Sequence, residues 1–510
     1  MIFKAKNIIS ISLVLVLLLS VLTACGDNNK KTSTANGATT SQGASNADPS
    51  ATGANGEIIT TAGTVQTITD ANGSVITVTT QKNQNGTTAK PTARPTYSNG
   101  NNNELILSTV ENPVFTSFDS VKPSNITLKA SWDCMGTDNN GVIYVGFNSM
   151  NTAYPNPNYK RRSDKEYEKE PYLQDCAIFT YNPSSKAVKY LGTMMDASKA
   201  AGNLQAGEAI PKGHTKILNI GGKMYLASQS FHDFKQGIAD LPRYRGSHLY
   251  SIEPASGKIT DLSASLPDGV VTKNEGIIAL NYIPPRNLIV GLTHPHSNLV
   301  FFNVKTNKIE RNVTGIPWTL GNPLSREIVV SGDKVYLYRG VEEASARNQQ
   351  YNVYLYNYAT NKLTKTNNII SGGFWNGQAT TSDGKKVYIS TSCGELYVLD
   401  TTTDTTKWLT HMLPSYFTDN GIKLAYTYSL TMSPDQKNLY FIPTMFNDIC
   451  VYEYDIFTNT VNAAGGTLSK GIYTGNGIRD KNNNYYWIQF GTNGNDWDGE
   501  CKMVSFKITG

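Results

Sequence analysis

One short pattern recurs along this 510-residue chain. An apolar strand ends near an aromatic residue, a turn rich in Asn, Thr, Ser and Asp follows, and a second strand begins, usually at a lysine. The copies lie at residues 179–186, 249–258, 301–308, 355–362, 396–404 and 451–459. Recurrence every ~40–70 residues without helical periodicity predicts an all-β fold built by radial or stacked repetition.

The repeats divide into hairpins, and counting the hairpins gives the architecture. Second strands that follow a turn lie at residues 141–144, 222–225, 287–290, 333–336, 383–388, 433–440 and 484–487. The strands before them lie near residues 127–134, 214–220, 276–282, 325–331, 374–381, 426–432 and 471–479. The last repeat ends with its third strand, and an apolar stretch at 104–110 precedes the first repeat. We therefore predict a seven-bladed β-propeller over residues 104–510, whose ring is closed when residues 104–110 supply the outer strand of the last blade.

Two segments resemble a known class of propeller. Residues 381–389 read Thr-Ser-Asp-Gly-Lys-Lys-Val-Tyr-Ile, and residues 432–441 read Met-Ser-Pro-Asp-Gln-Lys-Asn-Leu-Tyr-Phe. They resemble the seven-bladed propellers of the secreted YVTN and TolB-like type, and the resemblance covers residues 104–510. The Trp-Asp signature of WD40 blades and the Gly-Gly doublets of kelch blades do not recur.

The first residues predict where in the cell the protein is located. Lys4 and Lys6 precede an apolar run from 8 to 22 that has the position and length of a signal-peptide core. The run ends in Leu-Thr-Ala-Cys25-Gly, which resembles a bacterial lipobox. The resemblance implies a signal peptide over residues 1–24, acylation of Cys25 and a lipid anchor on the outer face of the cell membrane.

Residues 25–103 are rich in Thr, Ser, Asn and Gly and poor in aromatic residues. Such a composition cannot bury enough apolar surface to fold alone, so we predict a disordered tether. Within it, residues 64–78 alternate around Asn72-Gly73, which is a hairpin signal.

The net charge limits the class of partner, and the number of cysteines limits the possible disulfides. The formal charge is +5, and removal of Lys4 and Lys6 with the signal leaves +3, which argues against a nucleic-acid partner. Five cysteines remain after Cys25, and an odd number cannot all pair. Disulfides between Cys134 and Cys176 or between Cys450 and Cys501, or buried free thiols, are the alternatives.

In a propeller the innermost strands begin, and the second strands end, on one face, which we call the top face. Unusual polar and aromatic residues of this chain map to the loops there. The candidate catalytic residues are His214, His232, Tyr244 and Arg245, and the candidate ligand-binding residues are Arg243, His248, Tyr282, Arg339, Trp375 and Trp497. His294 and His296 are the candidate metal ligands.

Three hypotheses account for these residues. The first is that the top face binds a polysaccharide or a partner protein, and this is the function we expect. The second is a polysaccharide lyase, in which a neutral His or a Tyr removes a proton from a uronate whose carboxylate is neutralised by Arg. This combination is similar to the propeller polysaccharide lyases, such as the ulvan and oligogalacturonate lyases. They use two histidines about twenty residues apart, or a histidine cluster around a metal, together with Tyr and Arg, and His214 and His232 match the first of these arrangements.

The third hypothesis is a divalent metal, the one cofactor left open, held by His294 and His296 at i, i+2 of a strand together with His214 or His232. Other catalytic signatures do not occur: the sequence has no Gly-x-Ser-x-Gly elbow, no Walker loop and no His-Glu-x-x-His.

Overall fold

Seven antiparallel sheets follow one another along the chain in the computed structural model. The structure describes residues 109–111, 113–162, 166–229, 232–233, 238–239, 244–316, 325–340, 350–372, 375–391, 394–412, 427, 430–443, 449–469, 471–491 and 500–509, and three strands before residue 109. Each sheet is a blade whose strands A to D run outward from the axis, so the predicted seven-bladed propeller is confirmed.

The strand bounds match the hairpins predicted from the sequence. Blade 1 contains Ile126–Ala130 and Met135–Thr137 as strand A, then Ile143–Pro155, Tyr172–Asn182 and Ala187–Thr193. Blade 2 contains Lys212–Gly213 and Leu218–Ile220 as strand A, then Lys223–Gln229, Leu249–Glu253 and Lys258–Asp261. Blade 3 contains Gly276–Ile283, Leu288–His294, Leu299–Asn303 and Lys308–Val313, and blade 4 contains Val329–Ser331, Lys334–Gly340, Gln350–Asn357 and Lys362–Ser371.

The later blades are built in the same way. Blade 5 contains Trp375–Thr380, Lys386–Thr391, Glu395–Asp400 and Thr405–His411, and blade 6 contains Leu430–Met432, Asn438–Phe441, Ile449–Asp455 and Thr460–Leu468. Blade 7 contains Ile472–Arg479, Asn484–Phe490 and Lys502–Thr509. Short strands pair outside the blades, His232–Asp233 with Ile238–Ala239 and Gly246–Ser247 with Thr272–Lys273. Helical segments among the described residues are Glu166–Lys169, Met194–Ala200, Leu262–Ser265 and Pro284–Arg286.

The ring is closed by the N-terminal part of the described chain. Thr109–Val110 and Val114–Ser117 both pair with the last strand, with Phe115 opposite Val504 and Val110 opposite Ile508. The predicted closure is therefore confirmed, and the pairing extends beyond residue 110 to residue 117. Residues 104–108 lie outside the described residues.

The turn between strands C and D explains the pattern that repeats in the sequence. In blade 6 the Tyr454 hydroxyl donates to Asn459 Oδ1 at 2.7 Å, and Asn459 has φ 57°. In blade 4 Tyr356 donates to Asn361 in the same way at 2.8 Å. Asn tolerates this left-handed conformation better than most residues. An aromatic residue followed five positions later by Asn or Lys therefore marks the turn in blades 1, 3, 4 and 6, and Ile252 and Leu399 precede Gly257 and Asp404 by the same five positions in blades 2 and 5.

Aromatic residues pack between neighbouring blades. Tyr336 and Tyr388 are buried, and Tyr388 packs with Leu439 and Phe441 of the next blade. These residues stabilise the contacts between sheets and are not available to a ligand.

The four cysteines of the described blades carry free thiols. Cys134 and Cys176 lie on either side of strand B of blade 1, and a Cβ at Gly146 between them would be 2.4 Å from Cys134 Sγ. Two strand spacings, about 9.5 Å, exceed the Cα separation of ~4.4–6.8 Å that a disulfide spans. The buried-thiol alternative therefore describes this pair.

The hairpin expected around Asn72-Gly73 is present in a separate unit before the propeller. Gly63–Thr69 pairs with Val75–Gln81, and Ser98–Asn99 extends the sheet. Among the residues described, no helix has the length and apolar character needed to cross a bilayer. The apolar run at 8–22 and Cys25 lie outside them.

Candidate functional site

The innermost strands of five blades are interrupted by breaks or bulges. The breaks or bulges lie between residues 130 and 135, 213 and 218, 277 and 279, 375 and 377, and 474 and 478. In blade 4, residues 325–328 precede the regular strand. Breaks of this kind interrupt the inward and outward alternation of side chains and direct polar residues to the axis.

Side chains from these breaks meet one another, and we call them the axial cluster. Its members are Trp132 and Asp133 of blade 1, Lys212, His214 and Lys216 of blade 2, and Arg326 and Glu327 of blade 4. Trp132 and His214 stack with ring centroids 6.4 Å apart and an interplanar angle of 6°. The Arg326 guanidinium lies 5.7 Å from the centre of the Trp132 ring, and Lys216 Nζ is 2.8 Å from Glu327 Oε2.

These contacts place the cluster on the axis of the ring. Blades 1 and 4 are separated by two other blades, and only side chains that reach across the central channel can join them. Asp133 also interacts with the backbone of Gly475 in blade 7. The breaks in distant parts of the sequence therefore build one polar site.

Burial and mutual charge alter the protonation of the cluster. Lys212 is 9% exposed, and burial, with the Arg326 charge adding to it, lowers its pKa to about 7. His214 is 3% exposed; burial, then the charges of Lys212 and Arg326, hold its pKa well below the usual value, so the ring is neutral at pH 7. Burial, then Glu327, raise the pKa of Asp133 well above its usual value.

Two buried acceptor atoms of the cluster have no hydrogen-bond partner within the described parts of the chain. They are Oδ1 of Asp133 and Nδ1 of His214. Buried polar atoms in native proteins are nearly always paired with protein, water or ligand, so these two atoms indicate where a further molecule donates hydrogen bonds.

A second polar group surrounds His248 and lies in blade 2. His248 Nδ1 is 2.8 Å from Asp261 Oδ2, and Nε2 is 3.2 Å from Glu208 Oε1. Burial lowers the pKa of His248, but the hydrogen bonds to Asp261 and Glu208 outweigh it and raise the pKa overall. Arg245 Nε donates to Glu208 at 3.0 Å, and Ser198 and Asn203 donate to Asp261. We call these six residues the His248 network.

The His248 network ties the segment around Met194–Ala200 to blade 2. The side chains of His248, Asp261 and Glu208 are at most 1% exposed. Arg245 and His248, candidates for catalysis and ligand binding, thus belong to a different group from His214. The structure places Tyr244, which is buried, just before Arg245, and it places Tyr282 half-buried in strand A of blade 3.

His294 and His296 contact different partners. Gln229 Nε2 is 3.0 Å from His294 Nδ1, and His296 Nδ1 contacts Glu275 Oε1. Strand B of blade 3 ends at His294, and His296 lies in the turn that follows, so the expectation that both lie on one face of a strand is wrong. Within the described ranges, no group of three or more His, Cys, Asp or Glu side chains is arranged to hold a metal ion.

The remaining candidates divide into one buried residue and several that the structure does not describe. Trp375 begins strand A of blade 5 rather than lying in a loop, and its buried ring stacks on Tyr338 with centroids 5.7 Å apart. Of His232 and Arg339 only the backbone is described, in the strands His232–Asp233 and Lys334–Gly340. Arg243 and Trp497 lie outside the described residues.

Of the axial cluster, the sequence predicts only His214 as a site residue. Charged residues also occur inside the predicted innermost strands at Asp133, Lys216 and Arg326. A charged residue in the strand nearest the axis is the signal that identifies these positions.

Comparison with known proteins adds the following. No protein-family model matches the chain, and no curated protein matches its sequence. Among solved structures, the WD40 repeats of RRP9 cover 78% of this chain and 100% of their own at 10% identity, with a TM-score of 0.47. U3-55K covers 76% of this chain and 99% of its own at 9% identity, with a TM-score of 0.46. Scores at this level carry no argument about function, and the propeller assignment rests on the sheet topology.

Proposed function

We propose that this protein is a lipid-anchored, extracytoplasmic β-propeller that binds an acidic polysaccharide at the axial cluster. The observation that carries the proposal is the convergence of Lys212, Lys216 and Arg326 around the stacked Trp132 and His214 at the axis. Aromatic rings and cationic groups together suit a carboxylate-bearing sugar, whose C–H faces are apolar.

The charge balance of the cluster favours an anion. Three basic side chains, Lys212, Lys216 and Arg326, face the two acidic side chains of Asp133 and Glu327. A site walled by protein has a lower effective dielectric constant than water, so a carboxylate gains more from these cations there than at the surface. A bound anion would also raise the pKa of Lys212 and keep it charged.

Lipid anchoring is proposed from the sequence alone. The basic start, the apolar run at 8–22 and the lipobox-like residues around Cys25 support export and acylation. Residues 26–108 would then link the anchored end to the propeller. If the Cys25→Ser variant no longer associates with the membrane while the wild type does, lipid anchoring is supported. Unchanged membrane association of the variant would refute it.

A binding assay tests the polysaccharide proposal. The full chain in detergent solution is passed over immobilised polygalacturonate, alginate and a neutral glucan, and retention is compared with that of a Lys212→Met/Arg326→Met variant. We expect retention on the acidic polymers only, with at least a tenfold loss in the variant. Lys437→Met, which changes an exposed charge on a turn of blade 6, is the matched control. Equal retention on the neutral glucan would contradict the proposal, and no retention on any polymer would favour a protein partner.

The neutral His214 favours a second candidate function, a lyase that cleaves acidic glycans by β-elimination. Its Nδ1 has no partner within the described residues, and it lies beside cations that suit a uronate carboxylate. His214 would take the proton at C5, the C4=C5 double bond would form as the C4–O bond breaks, and the oxygen of the leaving sugar would receive a proton from the protonated His214 or from water. Ultraviolet absorbance of the unsaturated product tests this: the hypothesis requires a signal with the wild type that His214→Ala abolishes, and retention without any signal leaves binding alone.

A further inference from the structure

Two contacts bridge the central channel at the axial cluster. Arg326 of blade 4 covers Trp132 of blade 1, and Glu327 of blade 4 pairs with Lys216 of blade 2. Side chains that span the channel in this way close it at the level of the cluster. Arg326 and Glu327 precede strand A of their blade and His214 lies near the start of its own, so we use the name axial well for the part of the channel between these contacts and the top face.

The interior of this well is enclosed. Asp133 and His214 are each 3% exposed, and Lys212 is 9% exposed. The middle of a polymer lying across the top face would not reach side chains buried to this degree. A ligand that contacts them must enter the well with a free end.

The unpaired atoms define what the entering group must carry. Asp133 Oδ1 and His214 Nδ1 require hydrogen-bond donors, while Lys212 and Arg326 favour a negatively charged acceptor nearby. Hydroxyl groups supply the donors and a carboxylate supplies the acceptor, and both occur together on a sugar acid.

We infer that the axial well receives the terminal residue of an acidic glycan, or a single sugar acid, whose hydroxyls donate to Asp133 and His214 while its carboxylate faces Lys212 and Arg326. The inference rests on the proposed function, because it specifies how an acidic glycan is held at the same site. It adds that recognition is of a chain end and depends on hydroxyl groups.

Stoichiometry distinguishes an end from an internal stretch. Galacturonate oligomers and polymers of defined length are titrated into the full chain in detergent solution and followed by calorimetry. We expect one protein bound per chain at every length, and binding of free galacturonate as well. A number of bound proteins that grows with chain length would overturn the end-recognition claim while leaving acidic-glycan binding intact. No binding at any length or by the monomer would overturn both.

Two further arms test the role of the hydroxyls. Cyclohexanecarboxylate carries the charge without hydroxyls, and we expect it to bind at least tenfold more weakly than galacturonate; equal affinity would overturn the hydroxyl assignment. In Asp133→Asn the amide oxygen is expected to accept from the Gly475 backbone, which turns a donor toward the position of Oδ1. Asn tolerates the φ of 63° at this position, so the fold is retained.

The expected effect of Asp133→Asn is a loss of about tenfold in galacturonate affinity, the size of one good hydrogen bond. Asp383→Asn in a turn of blade 5 is the matched control and should bind like the wild type. If Asp133→Asn binds galacturonate as tightly as the control variant does, the proposed contact is wrong.

Discussion

The His248 network makes a prediction about stability that can be worked out from its geometry. His248 lies between Asp261 and Glu208, and all three side chains are buried. His248→Leu keeps an apolar side chain of moderate size in the site but removes both hydrogen bonds. Removing one partner of a buried ionic group costs about 3–5 kcal/mol, and because Arg245 still donates to Glu208 we expect the lower end, about 3 kcal/mol.

The size of the propeller converts this free energy into a temperature. Unfolding entropy of about 2.1 cal/mol/K per residue over roughly 400 residues gives about 0.8 kcal/mol/K. A loss of about 3 kcal/mol then lowers the unfolding temperature by about 4 °C.

The pH dependence follows from the directions of the pKa shifts. The pKa of His248 is raised on folding, so its contribution is complete below the unfolded pKa of about 6.5 and is lost as pH rises through the higher folded value. Burial raises the pKa values of Glu208 and Asp261, but hydrogen bonds, His248's first, outweigh it and lower both. Their contribution is complete above an unfolded pKa of about 4 and is lost as pH falls through the lower folded values.

The stability difference between wild type and His248→Leu should therefore be largest between about pH 4.5 and 6.5 and shrink on either side. Thermal unfolding followed by tryptophan fluorescence from pH 3 to 9 measures it. His411→Leu, at a partly exposed histidine of blade 5, is the control and should cost less than about 1 kcal/mol at every pH. A difference for His248→Leu that is below 1 kcal/mol, or that does not change with pH, would refute the reasoning.

Three further predictions concern packing, ligand binding and closure. Gly146→Ala places a Cβ 2.4 Å from Cys134 Sγ and should destabilise the protein by about 1–3 kcal/mol in thermal unfolding. Gly141→Ala is the control: no atom lies within 4 Å of its Cβ, and because φ is 78° the substitution should cost only about 1 kcal/mol. The affinity for galacturonate should fall as pH rises through about 7, where Lys212 loses its proton, and Lys212→Arg should remove that step from a calorimetric pH series. A chain that starts at residue 118 lacks both closing strands and should unfold more than about 5 °C below a chain that starts at residue 104. We also expect the shorter chain to associate through the freed edge of residues 502–509, which sedimentation would detect. Equal stability of the two chains would contradict closure by residues 109–117.

The blades could be predicted from the sequence because their signals are local. The turn after strand C needs a residue such as Asn361 or Asn459 in a left-handed conformation, and the hydrophobic alternation on either side marks the strands. These signals repeat in one blade after another, so the number of blades and the bounds of most strands follow without knowledge of distant contacts.

The functional residues depend on contacts between distant parts of the chain. Trp132 and Arg326 are almost two hundred positions apart and meet only because the ring closes. The sequence predicts His248 as a ligand-binding residue, but Glu208 and Asp261 contact both of its ring nitrogens. Neither the contact between Trp132 and Arg326 nor the contacts of His248 with two carboxylates can be recognised from a local sequence pattern.

Prediction from the sequence also fails for the two metal candidates, although they are only two positions apart. The spacing of His294 and His296 suits one face of a strand only if the strand continues through both. The strand ends at His294, and each ring then contacts a residue from a different segment, Gln229 or Glu275.

A crystal structure of the protein soaked with galacturonate tests the central claim most directly. We expect a sugar acid in the axial well, with its carboxylate within hydrogen-bond distance of Lys212 or Arg326 and a hydroxyl donating to Asp133 Oδ1. A sugar bound elsewhere on the propeller, with the well occupied by solvent alone, would contradict it.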